Sequence, residues 1–229
     1  MPHLKIDLHI HSKYSEDGAG DIEEILDRAI EKNLDAIAIT DHDTLEGSLK
    51  AQKIGKDKDI IVIPGQEVTT RDGHLLVLGI NKLIEPHKEV EETLAEVKEF
   101  GGFSIAPHPF HRYRHGLGRK LKKNYRDIDA VEVYNSRYIT GIANKRAKWF
   151  ASRNDVPVVA GSDAHIPEVI GYGTTIVRAE EPEQSIFDSI RKKQTKVELK
   201  KTPISLFLKQ AWSSVFGSIR RWIRNLSNR

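Results

Sequence analysis

A chain of 229 residues in which 38% of the residues are hydrophobic is long enough to bury one large core, and single α/β barrels commonly reach this size. The chain has no cysteine, which excludes a disulfide framework and a thiolate metal site, so any metal ion would be held by nitrogen and oxygen ligands. The formal net charge of +3 is unevenly spread, because residues 192–229 carry +9 and residues 1–191 therefore carry −6. The basic excess belongs to the C-terminal segment and gives no reason to expect nucleic-acid binding by the body of the protein.

The N-terminal residues MPHLKIDLHI lack the basic region and the apolar stretch of a signal peptide, and no run of eighteen apolar residues occurs in the chain. Secretion and membrane spanning are therefore not expected. We predict a cytoplasmic location.

Seven short runs, rich in β-branched residues and bounded by turn residues, are typical of β-strands. In chain order they are LKIDLHI, DAIAIT, IIVIPGQEV, HLLVLGI, GFSIAPH, AVEVYN and VPVVAGSD. Amphipathic stretches at residues 21–32, 87–100 and 139–153 separate several of them. This alternation predicts parallel strands joined by crossover helices. Seven such strands are too many for a small open sheet, so the predicted fold is α/β, a distorted (β/α)7 TIM-like barrel.

Two further features of the body of the chain can be predicted from its pattern. The first amphipathic stretch is expected to turn five apolar residues toward the core, namely Ile22, Ile25, Leu26, Ala29 and Ile30. Residues 109–124, PFHRYRHGLGRKLKKN, show no periodicity and carry many cations, so they are predicted to form a loop. We expect residues 1–195 to form the barrel and residues 196–229 to form a separate tail.

The tail has the pattern of a basic amphipathic helix that Thr202 can cap and Pro203 can begin. Its apolar positions, which return every three or four residues, are Ile204, Phe207, Leu208, Ala211, Trp212, Val215, Phe216, Ile219, Trp222, Ile223 and Leu226. The opposite face carries Lys209, Arg220, Arg221 and Arg224. Such a helix is typical of packing on its own barrel, of contact with another subunit and of binding to an anionic membrane surface, and the pattern leaves these alternatives open.

Histidine and acidic residues stand where most of the apolar runs end. They are His9, His11, Asp17, Asp41, His42, Asp43, Glu67, His74, His108, Asp163 and His165. In a β/α barrel the C-terminal ends of the strands meet at one rim, so these side chains are expected to converge. His9 and His11 share one face of their strand, because alternate side chains of a strand point the same way. Imidazoles and carboxylates gathered without thiols are typical of a site for several metal ions.

Each of these residues alone has a simpler explanation. A solitary histidine after a strand is often a structural residue, and Asp41 or Asp43 can cap a helix that begins near Leu45. Taken together they favour metal binding, because burying roughly nine ionisable groups at one rim without a cation would cost much free energy.

At these positions the sequence resembles the PHP (polymerase and histidinol phosphatase) domain of metal-dependent phosphoesterases. The resemblance lies in five blocks in order, DLHIHSKYSEDG, AITDHDT, PGQEVTTRDGHLLVLG, APHPF and VAGSDAH, and runs from residue 4 to about residue 178. It implies a distorted seven-stranded β/α barrel with two or three divalent ions, for which Zn, Mn and Fe are equally suitable.

The resemblance also implies a role for each matching residue. The ligands of the first ion would be His9, His11, Glu67 and Asp163. Those of the second would be a bridging Glu67 with His74 and His108, and those of the third Asp17, His42 and His165. Some members of the family have histidine in the place of Asp17. The residues expected to serve the reaction most directly are Glu67, Asp163 and His108.

Water is the expected attacking group, because the chain lacks cysteine and lacks a serine in a turn of the type G-x-S-x-G. Two cations would lower the pKa of a water that bridges them and present the hydroxide to phosphorus. Candidates for binding the phosphate follow the strand ends and are Arg137, His111 and Arg114, with Arg112 and His115 nearby; a solvated cationic loop is the alternative. Asp7 and Asp43 are predicted to orient metal-bound imidazoles.

The predicted function is hydrolysis of a phosphate monoester of a small metabolite or nucleotide. The alternative within the same chemistry is a nuclease or phosphodiesterase that removes terminal nucleotides, with nucleic acid guided by the cationic loop or the tail. An amidohydrolase is a third possibility, because those enzymes also begin with HxH, although they often use a bridging lysine where Glu67 stands here. The fourth is a protein-binding scaffold that its ions only stabilise.

Overall fold

The computed structural model describes residues 3–138, 141–179 and 183–213. The strands in these residues are β1 (His3–Ile10), β2 (Ala36–Ile39), β3 (Ile61–Thr70), β4 (Gly73–Leu78), β5 (Phe103–Ala106), β6 (Ala130–Asn135), β7 (Val158–Gly161), β8 (Gly173–Arg178) and β9 (Thr195–Leu199). The helices are α1 (Ile22–Glu31), α2 (Glu46–Gly55), α3 (Val90–Glu99), α4 (Arg119–Asn124), α5 (Ile142–Asn154), α6 (Glu183–Arg191) and α7, residues 204–213. All seven predicted strands are present.

The strands form one curved sheet in the order β7-β6-β5-β4-β3-β2-β1-β8-β9. The segment that follows β7 returns to β1, where the backbone N–H of His11 donates to the carbonyl of Ala164 at 2.8 Å. This contact nearly closes the sheet, so the predicted distorted α/β barrel is confirmed. Because β1 and β7 meet at their C-terminal ends, residues 9–11 and 162–165 lie next to each other.

The prediction that all strands run parallel is wrong for β4. This strand pairs antiparallel with both β3 and β5. Its connection to β3 consists only of Arg71 and Asp72, which is too short for a crossover helix and is typical of a hairpin. The hairpin has a consequence for the rim, because it places His74, at the start of β4, beside the end of β3.

Apolar side chains from β1 to β8 fill the barrel. They include Ile6, Leu8, Ile63, Leu76, Phe103, Ile105 and Val159, which are almost completely buried. Helix α6 adds Phe187, whose ring stacks on Phe103 with 4.7 Å between centroids. Helix α1 packs outside the barrel through Ile22, Ile25, Leu26 and Ala29, as predicted, whereas Ile30 is 38% exposed and does not join the core.

Other elements differ from the predicted pattern. Residues 109–124 are not a continuous loop, because they contain a 3-10 turn at Arg112–Arg114 and helix α4. Strands β8 and β9, which the sequence did not indicate, extend the sheet beyond β1 as an antiparallel pair. Strand β9 spans the predicted boundary between barrel and tail, and the division into these two parts stays a prediction.

The described part of the predicted tail consists of most of β9, a short connection and helix α7. The hydroxyl of Thr202, the predicted cap, donates to the carbonyl of Ser136 at 2.9 Å. The predicted positions from Val215 to Leu226, with Arg220, Arg221 and Arg224, lie outside the described residues. Among the residues that are described, no helix has the length and apolar content that crossing a bilayer requires.

Candidate metal centre

His9 of β1 and His11, just after its end, lie close to two carboxylates, those of Glu67 and Asp163, near the place where β1 meets the segment after β7. Nε2 of His9 and Nε2 of His11 lie 3.1 Å apart, and each lies 3.1 Å from Oε2 of Glu67. Oδ1 of Asp163 completes the group at 3.8 and 3.7 Å from these two nitrogens. The four ligands predicted for the first ion therefore converge on one point.

The other oxygen of Glu67 belongs to a second group. Oε1 lies 2.9 Å from Nδ1 of His74 and 3.1 Å from Nε2 of His108. His108 adopts a left-handed backbone conformation, with φ of 32°, which a non-glycine residue holds only when its surroundings enforce it. Glu67 thus lies between the first group and this second one, as a bridging ligand would.

The third group is on the outer side of His11. Nε2 of His165 lies 2.6 Å from Oδ2 of Asp17, and Nε2 of His42 lies 3.9 Å from Oδ1 of Asp17. One ligand-type atom from each of Asp17, His42 and His165, and one from His11, all lie within 4.8 Å of one another. The residues predicted for the third set are together.

Two features of the groups fit cations rather than a purely structural network. Among the residues that the structure describes, Nδ1 of His42 and Nδ1 of His108 are buried without a hydrogen-bond partner. Burial is the main reason that the pKa of His42 is lowered to about 4 and that of His165 to about 3. Neutral imidazoles carry the lone pair that a metal ion needs.

The carboxylates are charged despite their burial. Burial alone would raise the pKa of Glu67, but His42, His74 and His9 hold it well below its usual value. Burial acts in the same way on Asp163, and Arg114 and His9 lower its pKa well below the usual value. Ionised carboxylates next to the neutral imidazoles of His42 and His165 are a donor set that suits borderline divalent ions.

A family model described as PHP domain matches residues 7–202. The chain belongs to the PHP domain family. The resemblance inferred from the five sequence blocks is thereby confirmed.

Three proteins illustrate the similarity. An uncharacterised protein of Methanocaldococcus jannaschii is 36% identical over 154 residues, which are 63% of this chain and 89% of the relative. The phosphoribosyl 1,2-cyclic phosphate 1,2-diphosphodiesterase of Eggerthella lenta is 34% identical over 82 residues, 33% of this chain and 31% of that one. A two-domain protein of Bacteroides vulgatus, described as containing a PHP-like metal-dependent phosphoesterase, matches the fold with a TM-score of 0.75 at 21% identity, and the match covers 87% of this chain and 65% of that one.

The cavity above the groups in this PHP domain has a volume of about 290 Å³. Arg114 and Arg137, two of the predicted phosphate-binding residues, line it together with His115. Nη1 of Arg114 donates to Oδ2 of Asp163 at 2.7 Å, and Nη1 of Arg137 lies 2.8 Å from Nε2 of His165. Burial lowers the pKa of Arg137 to about 10, so the group remains a cation at neutral pH.

His111, the third predicted phosphate-binding residue, does not line this cavity. Its carbonyl accepts hydrogen bonds from the backbone of Arg114 and Gly116, and this turn directs Arg114 inward. The ring of His111 lies over Tyr138 instead, with 4.3 Å between centroids.

Glu132 of β6, which the sequence analysis missed, orients two ligands of the PHP domain. Its Oε1 lies 3.0 Å from Nδ1 of His9, and its Oε2 accepts from the backbone N–H of His108 at 2.7 Å. Asn135 donates to Oε2 of Glu132 and to Oδ2 of Asp163, both at 3.0 Å. A β-carbon at Gly161 would lie 2.5 Å from Cβ of His9 and 2.6 Å from Oε1 of Glu132, so only glycine leaves room for the pair.

The carboxylates predicted to orient imidazoles have other partners. Asp7 accepts hydrogen bonds from the backbone N–H groups of Ser162 at 3.0 Å, Gly171 at 2.9 Å and His9 at 3.4 Å. Asp43 accepts from the backbone N–H of Thr69 at 2.7 Å. The first carboxylate ties the loop after β7 to β1, and the second ties the loop after β2 to β3. The carboxylate that contacts the ring of His9 from behind is Glu132, not Asp7.

We expect Asp7→Asn to lower the free energy of unfolding by about 1–3 kcal/mol, the usual cost of leaving a buried polar group unpaired. Both oxygens of Asp7 accept from backbone N–H groups, and one of them would become an NH₂ group that faces a donor. Thermal and urea unfolding of the metal-free protein measure the change. The exposed Asp57→Asn is the control, and equal stability of the two variants would contradict the assigned role of Asp7.

Proposed function

We propose that this PHP domain hydrolyses a phosphate monoester of a small metabolite or nucleotide in a metal-dependent reaction. The observation that carries the proposal is the convergence of nine ligand-type side chains, seven of which line one cavity together with two guanidinium groups. A volume of about 290 Å³ suits a small phosphorylated molecule rather than a long polymer buried along its length.

The residues have distinct tasks in this proposal. Divalent ions, proposed to be Zn, Mn or Fe, would supply an activated water and neutralise charge on the phosphoryl oxygens. Glu67, Asp163 and His108 hold the centre around which the phosphate would sit, with the other predicted ligands around them. Arg114 and Arg137 lie at the cavity wall, where their N–H donors are suited to a phosphate. A guanidinium has five N–H donors, so the bond from Arg114 to Asp163 does not exhaust that group.

A phosphodiesterase or nuclease is the second candidate. It is supported by the partial identity to the diphosphodiesterase of Eggerthella lenta and by the cations of residues 112–123, which follow the β5 end of the rim. An amidohydrolase has less support, because no lysine lines the cavity among the described residues and Glu67 occupies the bridging position.

The deciding experiment offers AMP, a 3′,5′-bisphosphate and histidinol phosphate, against a dinucleotide phosphodiester, to protein loaded separately with Zn, Mn or Fe. We expect inorganic phosphate to be released from at least one monoester. Raising the salt concentration distinguishes the candidates, because cleavage of a polymer falls steeply with ionic strength while that of a small monoester changes little. Release from none of the monoesters under any metal would overturn the proposal.

A further inference from the structure

The side chain of Gln210, on helix α7, is completely buried against the metal centre. Its Oε1 accepts from the backbone N–H of His165 at 3.2 Å, and its Nε2 lies 3.4 Å from the carbonyl of Asp163. One amide group therefore binds the backbone on both sides of Ala164. Gln210 also lies beyond residue 202, where the match to the family model ends.

The segment that Gln210 binds, residues 163–165, needs external support. Asp163 has a φ of 52°, a left-handed conformation that costs about 1–3 kcal/mol in a non-glycine residue and persists only when the surroundings enforce it. On one side the segment is bound to β1, since Ala164 accepts from the N–H of His11 at 2.8 Å. On the other side it is bound by Gln210. The segment carries one ligand of the first group and one of the third.

Two other described residues of the tail, Thr202 and Leu206, help to hold α7 at this place. Thr202 donates to the carbonyl of Ser136, and the hydroxyl of Ser136 donates to the carbonyl of Ser162 at 2.7 Å. Leu206 packs on the cluster that contains Ile166 and Val169. The outward side of the helix is different, because Leu208 is 60% exposed. The inner side of α7 is thus specialised for contact with the loops that carry Arg137, Asp163 and His165.

We infer that Gln210 is a positioning residue of the metal centre, which holds residues 163–165 so that Asp163 and His165 present their side chains to the bound ions. In this role it acts through its hydrogen bonds to the backbone of residues 163 and 165. Helix α7 then contributes to the metal centre by positioning two of its ligands. This inference rests on the metal binding assumed in the proposed function, but not on the identity of the substrate.

The test compares Gln210→Met, which keeps the volume and loses both hydrogen bonds, with Leu208→Met on the exposed side of the same helix, in the full chain. Isothermal titration with Mn²⁺ or Zn²⁺ alone measures the number of ions and each Kd. We expect Q210M to weaken the binding of at least one ion by about tenfold, as is usual when a group that orients a ligand is lost. L208M is expected to bind as the wild type does.

The outcomes separate the inference from the proposed function. If Q210M melts at a lower temperature but every Kd matches that of the wild type, Gln210 is only structural and the inference fails. If the wild type binds no ion at all, the proposed function fails with it. Should Q210M not fold, Q210E carries the test, because it keeps the acceptor for the His165 N–H and loses the donor for the Asp163 carbonyl; an unchanged Kd in Q210E would again refute the inference.

Discussion

We expect Glu67→Gln to lower kcat/KM by about 10³-fold or more, the scale on which enzymes lose activity when an essential member of a catalytic unit is removed. The physical reason is the position of the carboxylate between two groups of histidines, with Oε2 near His9 and His11 and Oε1 near His74 and His108. A neutral amide supplies one oxygen instead of two and no charge. The centre would lose its bridging ligand together with its attraction for the second cation.

The measurement combines kinetics, metal content and folding. Elemental analysis after dialysis should find fewer ions in E67Q than in the wild type, and circular dichroism should find the same fold. Glu85→Gln, an exposed glutamate, is the matched control and should retain full activity. Wild-type activity in E67Q would contradict the role of Glu67 as the bridging ligand on which the reaction depends.

The second large effect is expected from Glu132→Gln, which should weaken metal binding by about 10–100-fold. Glu132 accepts a hydrogen bond from the Nδ1–H of His9, which keeps the ring proton on Nδ1 and leaves the lone pair of Nε2 for the ion. Its other oxygen already accepts from His108 and Asn135, so the NH₂ group of glutamine would face His9. The NH₂ group would donate to Nδ1 and move the ring proton to Nε2, where it blocks coordination.

Titration with Zn²⁺ or Mn²⁺ tests this expectation. Glu198→Gln is the control, because Glu198 also lies on a strand, is 41% exposed and pairs with Lys5 at 3.6 Å, far from any ligand. A Kd for E132Q within twofold of the wild type would show that His9 does not depend on Glu132 for its tautomer.

The candidate ligands were predictable because most of them have a signal in the sequence: an imidazole or carboxylate at or near the point where a buried strand ends. In a β/α barrel the C-terminal ends of the strands lie at one rim, independently of the length and conformation of the loops between them. The resemblance to the PHP domain then grouped Asp17, His42 and His165, although 148 positions separate the outer two. The apolar periodicity likewise sufficed for the seven strands and for α1.

The residues that support the ligands were harder to predict from the sequence, because their hydrogen-bond partners depend on how distant segments pack. Asp7 precedes His9 by two positions and was expected to serve it, but closure of the barrel brings the amides of Ser162 and Gly171 to Asp7 instead. Glu132 did leave a signal, an ionisable residue in the middle of the apolar run AVEVYN. Gln210 left none, since an amide on a helix is ordinary until the helix is docked.

The ligand-type atoms also form overlapping clusters, in each of which all the atoms lie within 4.8 Å of one another, and His9, His11, His42 and Glu67 each belong to two of these clusters. The clusters therefore form one interconnected site and not several independent ion-binding sites. If the clusters hold ions, loss of a shared residue would weaken the binding of more than one of them. Substitution of a residue that belongs to one cluster only, such as Asp17 or His165, would affect one ion. A related protein that keeps only some of the ions would therefore be expected to keep the residues that several clusters share.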